Sequence, residues 1–254
     1  MNLPVWVTEL ARRFWVEAGT EEPFPRTLRA AITSTLPLSF IAWPALSVGG
    51  VLAWLRQRGI QPPVRTTDRR LRACLVAGSG HGFIFLDQDD PADEQRFSLA
   101  HELAHFLRDY WEPRRRLTEA LGPAVLEVCD GRRAARPEEW LQALLRDLPL
   151  GVHVHLLHRD GGRPSSLQEE EAEEAADLLA LELLAPSGGI LVGTNLPPKM
   201  TLQCHLQERY ALPAGAAARY ADLLLPPPPP ADPLLGRLPE SLRNSCRTSV
   251  PPRE

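Results

Sequence analysis

Residues 95–111 read QRFSLAHELAHFLRDYW, and this stretch decides the prediction of the fold. Apolar side chains recur in it at helical intervals, which is typical of a helix with a buried face. They are Phe97, Ala100, Leu103, Ala104 and Leu107. His101 and His105 lie one turn apart, so the helix presents both imidazoles on the same side. We expect the helix to end before Pro113, because proline does not continue a helix interior.

The same residues contain the motif HExxH, whose spacing suits a hydrolytic zinc site. Two imidazoles at positions i and i+4 can occupy neighbouring corners of a zinc tetrahedron, at about 2.0–2.1 Å from the metal. Glu102 is displaced around the helix, so it reaches a metal-activated water rather than the metal. A carboxylate in that place accepts the water proton and returns it to a leaving amine. We therefore expect one zinc ion per chain, bound by His101 and His105, with Glu102 as the catalytic base of peptide-bond hydrolysis.

A third ligand is expected because catalytic zinc sites usually have three protein ligands and one open position. The predicted helix 167–184 offers Glu173 and Asp177 one turn apart. We favour Glu173 as the ligand, with Asp177 holding a ligand histidine through its other ring nitrogen. The β-like run GVHVHLLHRD offers His153 and His155, which point to the same side of a strand. One of them is an alternative third ligand or a donor to the oxyanion, unless the run is simply the polar face of an exposed strand.

Two β-type runs precede the motif, RACLVAG at 72–78 and GFIFLD at 82–87. The residues between them, Ser79, Gly80 and His81, are typical of a tight turn, so the runs predict an antiparallel hairpin. An exposed strand edge near a metal can pair with an extended substrate through main-chain hydrogen bonds. The run 82–87 is a candidate for that edge, and the alternative interpretation is a buried strand of the sheet.

The rest of the chain is predicted to be mainly helical. Five prolines at 226–230 indicate an extended polyproline II spacer, and the polar tail 239–254 indicates disorder. Further helices are expected at about 5–18, 25–35, 51–59, 117–128, 137–148, 201–210 and 214–225.

These elements predict one α+β catalytic domain, mainly helical and zincin-like, with a small antiparallel sheet. Its expected parts are an N-terminal helical scaffold (1–65), a zinc metallopeptidase core (66–190) with an inserted helical segment at about 114–166, a small C-terminal helical region (191–238) and the tail (239–254).

Composition excludes several classes of function. The chain has 254 residues and a net charge of −4, so it lacks the basic excess of a general nucleic-acid binder. No apolar stretch approaches the roughly 20 residues of a membrane span. The N-terminus has no signal-peptide pattern, and the four cysteines form no CxxC pair. We expect a cytoplasmic protein with reduced thiols. Its arginine-rich composition is typical of a GC-rich bacterial genome.

Two strings carry a resemblance to a known family. The first is QRFSLAHELAHFL, preceded by the apolar strand. The second is E-x-x-A-D-x-x-A-x-x-L-L-x-P, here Glu173, Ala176, Asp177, Ala180, Leu183, Leu184 and Pro186. Both are similar to strings of the ImmA/IrrE metallopeptidases. The connection between the two strings is longer than is usual in that family.

The resemblance implies a ligand set and a substrate. By it, His101, His105 and Glu173 bind zinc, and Glu102 is the base. The implied partner is a DNA-binding transcriptional repressor, which is cleaved in a stress response or during induction of a mobile element. Because no helix-turn-helix pattern is evident in this chain, we expect the repressor to be a separate protein.

Two other functions are compatible with the motif. One is a zinc-binding regulatory interaction module without proteolysis, although a purely structural site has no use for a base such as Glu102. The other is a zinc amidase that acts on a smaller amide, against which the cytoplasmic expectation and the family resemblance both count.

Overall fold

The computed structural model describes residues 3–19, 23–60, 67–139, 152–159, 166–190 and 197–225. Its elements are α1 (Val5–Ala18), α2 (Leu28–Thr35), β1 (Leu38–Trp43), α3 (Val48–Gln57), β2 (Leu71–Gly78), β3 (His81–Asp87), α4 (Ala92–His105), a π-helical turn (Phe106–Trp111), α5 (Glu112–Leu121), α6 (Val125–Cys129), β4 (His153–His158), α7 (Leu167–Leu184), α8 (Ser187–Ile190), α9 (Lys199–Tyr210) and α10 (Ala214–Leu224). The proline run, the tail and most of the helix predicted at 137–148 lie outside the described residues.

The predicted α+β class is confirmed, with helices surrounding one small sheet. The strand order is β1-β3-β2-β4. β2 and β3 form the predicted antiparallel hairpin, and both turn residues, Ser79 and Gly80, have positive φ as the tight hairpin turn requires. β4 pairs antiparallel with β2, whereas β1 pairs parallel with β3. The sheet is therefore mixed and not purely antiparallel as predicted. Its additional strand is β1, which lies between Pro37 and Pro44.

The edge role expected for the run 82–87 is wrong. β3 is hydrogen-bonded to β1 on one side and to β2 on the other, so its main chain is not available to a substrate. Among the described residues, the strands at the two edges of the sheet are β1 and β4. Long-range pairing of β1 with β3 and of β4 with β2, which local sequence patterns do not reveal, decides which strands form the edges.

The second half of α4 is buried on all sides because it lies between the sheet and α7. All eight residues from Ser98 to His105 are buried. The helix does not end before Pro113 as predicted. The π-helical turn follows α4 directly, and Pro113 is the second residue of α5. The helical path thus continues beyond the motif through a local change of helix type.

The main core joins distant parts of the chain. It contains apolar residues of α1, α2, α4, α7, α9 and α10 together with one face of the sheet. Trp15 of α1 donates a hydrogen bond from its indole nitrogen to the carbonyl of Leu183 in α7, at 3.0 Å. A second core, between α3 and the other face of the sheet, includes Val51, Leu55 and Phe85. Both faces of the sheet are therefore covered. The domain boundaries at residues 65, 190 and 238 stay a prediction.

None of the described helices is both long enough and apolar enough to cross a bilayer.

Candidate metal centre

α4 and α7 bring the two sequence motifs together. His101, Glu102 and His105 are all buried on α4, with Glu102 fully inaccessible. Glu173 and Asp177 lie one turn apart on α7, which packs directly against α4. The expected juxtaposition of the two strings is therefore present.

The Nε2 atoms of the two histidines converge on Glu173. That of His101 lies 3.3 Å from Oε2 of Glu173, and that of His105 lies 3.6 Å from Oε1. Both nitrogens are buried, and neither makes a hydrogen bond within the described part of the chain. Buried polar atoms without partners are costly, so this arrangement is suited to a shared ligand.

Each of these histidines is oriented by a carboxylate on its opposite nitrogen. Nδ1 of His101 donates to Oδ1 of Asp177 at 2.8 Å, as the sequence analysis expects. Nδ1 of His105 donates to Oδ2 of Asp109 at 2.8 Å. Asp109 is a residue that sequence reasoning missed. The available signal was its position four residues after His105, which places both side chains on one helix face.

Arginines hold both carboxylates in place. Arg219 of α10 pairs with Asp177. Arg108 forms two hydrogen bonds with Asp109, of 2.5 and 2.8 Å, and donates a third to the carbonyl of Ala172 at 2.6 Å. Arg108 therefore links the carboxylate that orients His105 to the backbone just before Glu173. No local pattern identifies Arg219, because it comes from a helix more than 40 residues later in the chain than Asp177.

β4 adds a third imidazole to the cluster. Nδ1 of His155 lies 2.9 Å from Oε2 of Glu102, and its Nε2 lies 2.7 Å from Oε1 of Glu173. Its ring stacks on that of His105, with 3.7 Å between ring centroids. Donor atoms of His101, His105, His155 and Glu173 all lie within 4.8 Å of one another.

The other candidate histidines are placed differently. His153 does not belong to the group of four donors, although its Nε2 is buried and lacks a hydrogen-bond partner among the described residues. His158 contacts Arg69 at the far end of β4. Of the two histidines proposed from the strand pattern, the structure thus brings His155 into the cluster.

The electrostatics of the cluster favour positive charge between its carboxylates. Burial raises the pKa of Glu173, but the nearby imidazoles of His101 and His155 outweigh burial, so its pKa is lowered and it is ionised. Burial lowers the pKa of His155, yet the charges and hydrogen bonds of Glu102 and Glu173 raise it to about 10.

His101 and His105 differ in their ionisation. Burial lowers the pKa of His101, whereas its hydrogen bond to Asp177 and the nearby carboxylate of Glu173 raise it, with a net shift upward. The pKa of His105 falls well below its ordinary value because of burial and the neighbouring His155 and His101. Because Nδ1 of neutral His105 donates to Asp109, its Nε2 presents a lone pair to the cluster.

The residues present fit a metal ion. Imidazole nitrogens and a carboxylate oxygen are donors that zinc and other first-row divalent metals accept. The unpartnered Nε2 atoms of His101 and His105 are the observation that supports the fit. The carboxylates on the two Nδ1 atoms are the usual partners of metal-bound histidines.

A cavity of about 500 Å³ opens beside these donors. It lies between β4 and the first half of α7, and its wall includes His105, His155 and Glu173. A larger cavity of about 890 Å³ lies between α1 and the start of α8 and is lined by none of the predicted site residues. The smaller cavity is therefore the one that matters for chemistry at the cluster.

The fold and the cluster define the class of protein. An α+β domain whose buried helix carries HExxH beside a glutamate-bearing helix has the architecture of a zincin-like domain. Residues 63–121 match the Peptidase M78 family, described as the IrrE N-terminal-like domain. The match confirms the predicted resemblance to the ImmA/IrrE metallopeptidases. It spans the hairpin, α4 and α5, which is less than a quarter of the chain, and it ends before β4 and α7. Comparisons with curated proteins and with solved structures gave no match.

Proposed function

We propose that this protein is a zinc-dependent endopeptidase in which His101, His105 and Glu173 bind the metal. The observation that carries the proposal is the convergence of two buried Nε2 atoms on Glu173, at 3.3 and 3.6 Å. Neither atom has a hydrogen-bond partner among the described residues. A zinc ion bound there supplies Lewis acidity, which polarises a peptide carbonyl and makes water a stronger nucleophile at neutral pH.

Glu102 is the proposed general base. It lies on α4 between the two histidines and is completely buried. Its Oε1 has no hydrogen-bond partner in the described ranges, so this oxygen is available to accept a proton from water. Returning the same proton to the amine nitrogen lets the peptide C–N bond break without forming a free amide anion.

Asp177 and Asp109 have a supporting role. By accepting the Nδ1 proton of His101 and His105, they fix the tautomer that leaves each Nε2 free for the metal. Their arginine partners hold these carboxylates in place.

The proposed substrate path is the cavity between β4 and α7. β4 is hydrogen-bonded to β2 on one side, and its other edge, which pairs with no strand among the described residues, can pair with an extended peptide. Main-chain pairing of this kind positions a scissile bond near the cluster without strong side-chain selectivity. This proposal replaces the run 82–87 with β4 as the docking edge.

We further propose a DNA-binding transcriptional repressor as the substrate, cleaved in the cytoplasm during a bacterial stress response or induction of a mobile element. The support is the resemblance to the ImmA/IrrE metallopeptidases. The net charge of −4 fits an enzyme that acts on the repressor and not on DNA.

A second candidate is a zinc-binding interaction module without proteolysis. The contact of His155 with Glu102 favours it, because a base that already accepts a hydrogen bond is less available to water. A zinc amidase acting on a smaller substrate has no comparable support among the described contacts.

The test compares wild type with Glu102→Gln, using Glu119→Gln as the matched control. Glu119 is exposed on α5 and lies outside the cluster. Bound zinc is measured by elemental analysis, and cleavage is assayed against repressors encoded near the gene. We expect one zinc per chain in all three proteins and a loss of about 10²–10⁴-fold in cleavage rate for Glu102→Gln alone.

Two results would contradict the proposal. Wild type without bound zinc would remove the metal from the mechanism. Cleavage by Glu102→Gln at the wild-type rate would remove the base.

A further inference from the structure

We propose that His155 is a fourth protein ligand of the metal, so that in the folded protein all four coordination positions are filled by side chains and none is open to water. This inference rests on the proposed function for the presence of the metal itself. It adds a residue from β4, which lies beyond the part of the chain that matches the peptidase family.

The first argument is a repeated pattern of contacts. Three histidines each place Nδ1 on a carboxylate and direct Nε2 toward Glu173. The pairs are His101–Asp177, His105–Asp109 and His155–Glu102, at 2.8, 2.8 and 2.9 Å. Histidines that bind metals almost always donate their other N–H in this way. His155 therefore shares the Nδ1 contact of the two histidines of the motif, while its Nε2 is hydrogen-bonded to Oε1 of Glu173 at 2.7 Å.

The second argument is the spacing of the donors. Tetrahedral bonds of about 2.0–2.1 Å place neighbouring donor atoms about 3.3 Å apart. The Nε2 atoms of His101, His105 and His155 lie 3.3, 3.6 and 2.7 Å from oxygens of Glu173. With donor atoms of all four residues within 4.8 Å of one another, the cluster has the number of ligands that a tetrahedron needs.

Closure has a direct consequence for Glu102. A structural zinc site has four protein ligands, whereas a catalytic site keeps one position open. While His155 is a ligand, Oε2 of Glu102 accepts its Nδ1 proton and supports the ligand. Hydrolysis then requires His155 to leave the metal, which opens the fourth position and frees Glu102 in the same step.

β4 is suited to release this ligand. His155 pairs with Leu75 of β2 in the strand register, and every residue of β4 is partly exposed. His101 and His105 are instead enclosed in the main core. The fourth ligand thus comes from the periphery of the fold, and the first two come from its centre.

The experiment uses the full-length protein loaded with Co²⁺, whose visible absorption reports ligand number. Azide is the probe for an open position. We expect no spectral change with azide in wild type and a saturable change in His155→Ala. His153→Ala is the matched control, because His153 lies on the same face of β4 outside the donor group, and it should behave as wild type.

X-ray absorption of the zinc-loaded wild type gives a measurement that needs no variant. We expect scattering from three imidazole ligands of the zinc ion. Scattering from two would indicate that one coordination position is open. His155→Asn serves if His155→Ala fails to fold, as judged by circular dichroism.

The outcomes separate this inference from the proposed function. Equal azide responses in wild type and His155→Ala, or none in either, would overturn the role of His155. So would a count of two imidazoles in the wild type. Failure of the wild type to bind either metal would instead overturn the proposed function, and the fourth ligand with it.

Discussion

α4 and β4 both direct histidines toward Glu173, but they do so from different environments. The second half of α4 is buried on all sides, whereas β4 is partly exposed along its whole length and pairs with β2 at the sheet edge. Moving His101 or His105 would disturb the main core, while moving His155 would disturb mainly one strand. The comparison distinguishes the two histidines of α4, which the core holds in place, from His155 of β4, which can move with its strand.

The supports of the histidines differ in the same way. Asp177 and Asp109 are each paired with an arginine, which anchors the histidines of α4. Glu102, which supports His155, has no arginine among its described hydrogen-bond partners, and one of its oxygens is unpartnered. The strand histidine is therefore held by a residue that the proposed chemistry also needs.

The largest expected effect concerns packing. Leu103 of α4 is fully buried, while Leu157 of β4 is partly buried against the same core. Truncation of Leu103 to Ala should lower the free energy of unfolding by about 3 kcal/mol, because it removes contacts and leaves a cavity. Leu157→Ala should cost about 1 kcal/mol. Urea denaturation measures both, and equal losses would contradict the distinction between the two elements.

The next effect concerns metal affinity on the α4 side. Asp177→Asn and Asp109→Asn should each weaken zinc binding by about 10–100-fold, because an amide no longer fixes the histidine tautomer. Competition with a chromogenic chelator measures the affinity. Asp93→Asn, in the first turn of α4, is the control. An affinity unchanged by either test substitution would show that the carboxylates do not support the ligands.

The smallest expected effect is a loss of stability when the charge of Glu112 is removed. Glu112 is the first residue of α5, directly after the π-helical turn. Burial raises the pKa of Glu112, but hydrogen bonds from Arg115, Arg13 and Arg116 lower it to about 2. Since the folded pKa lies below the ordinary value of 4.5, the stabilisation is present above pH 4.5 and is lost as the pH falls toward 2. Glu112→Gln should cost about 1–2 kcal/mol at pH 7.

Unfolding at several pH values checks this expectation. The difference in unfolding free energy between wild type and Glu112→Gln should shrink between pH 5 and pH 3. A difference that stays constant over this range would contradict the role of ionised Glu112.

Local patterns in the sequence predicted the elements that carry the motifs. The apolar spacing of α4 and α7 and the turn residues of the hairpin are short-range signals, and the structure has all three elements. The two strings that resemble the ImmA/IrrE metallopeptidases also predicted that Glu173 lies close to the HExxH motif. Their chemical roles stay predictions.

Long-range pairing limited the rest of the prediction. The parallel strand β1, the edge position of β4 and the arginine from α10 depend on contacts between distant segments. Strand alternation placed His153 and His155 on one face but could not choose between them, because register with β2 decides which one meets Glu102. Asp109 was within reach of local reasoning, since it lies one turn after His105.

Anomalous diffraction at the zinc edge, from crystals grown with zinc, tests the central claim most directly. We predict one strong peak about 2.0–2.2 Å from Nε2 of His101, Nε2 of His105 and a carboxylate oxygen of Glu173. A peak elsewhere in the molecule, with both Nε2 atoms left without a metal, would contradict the account.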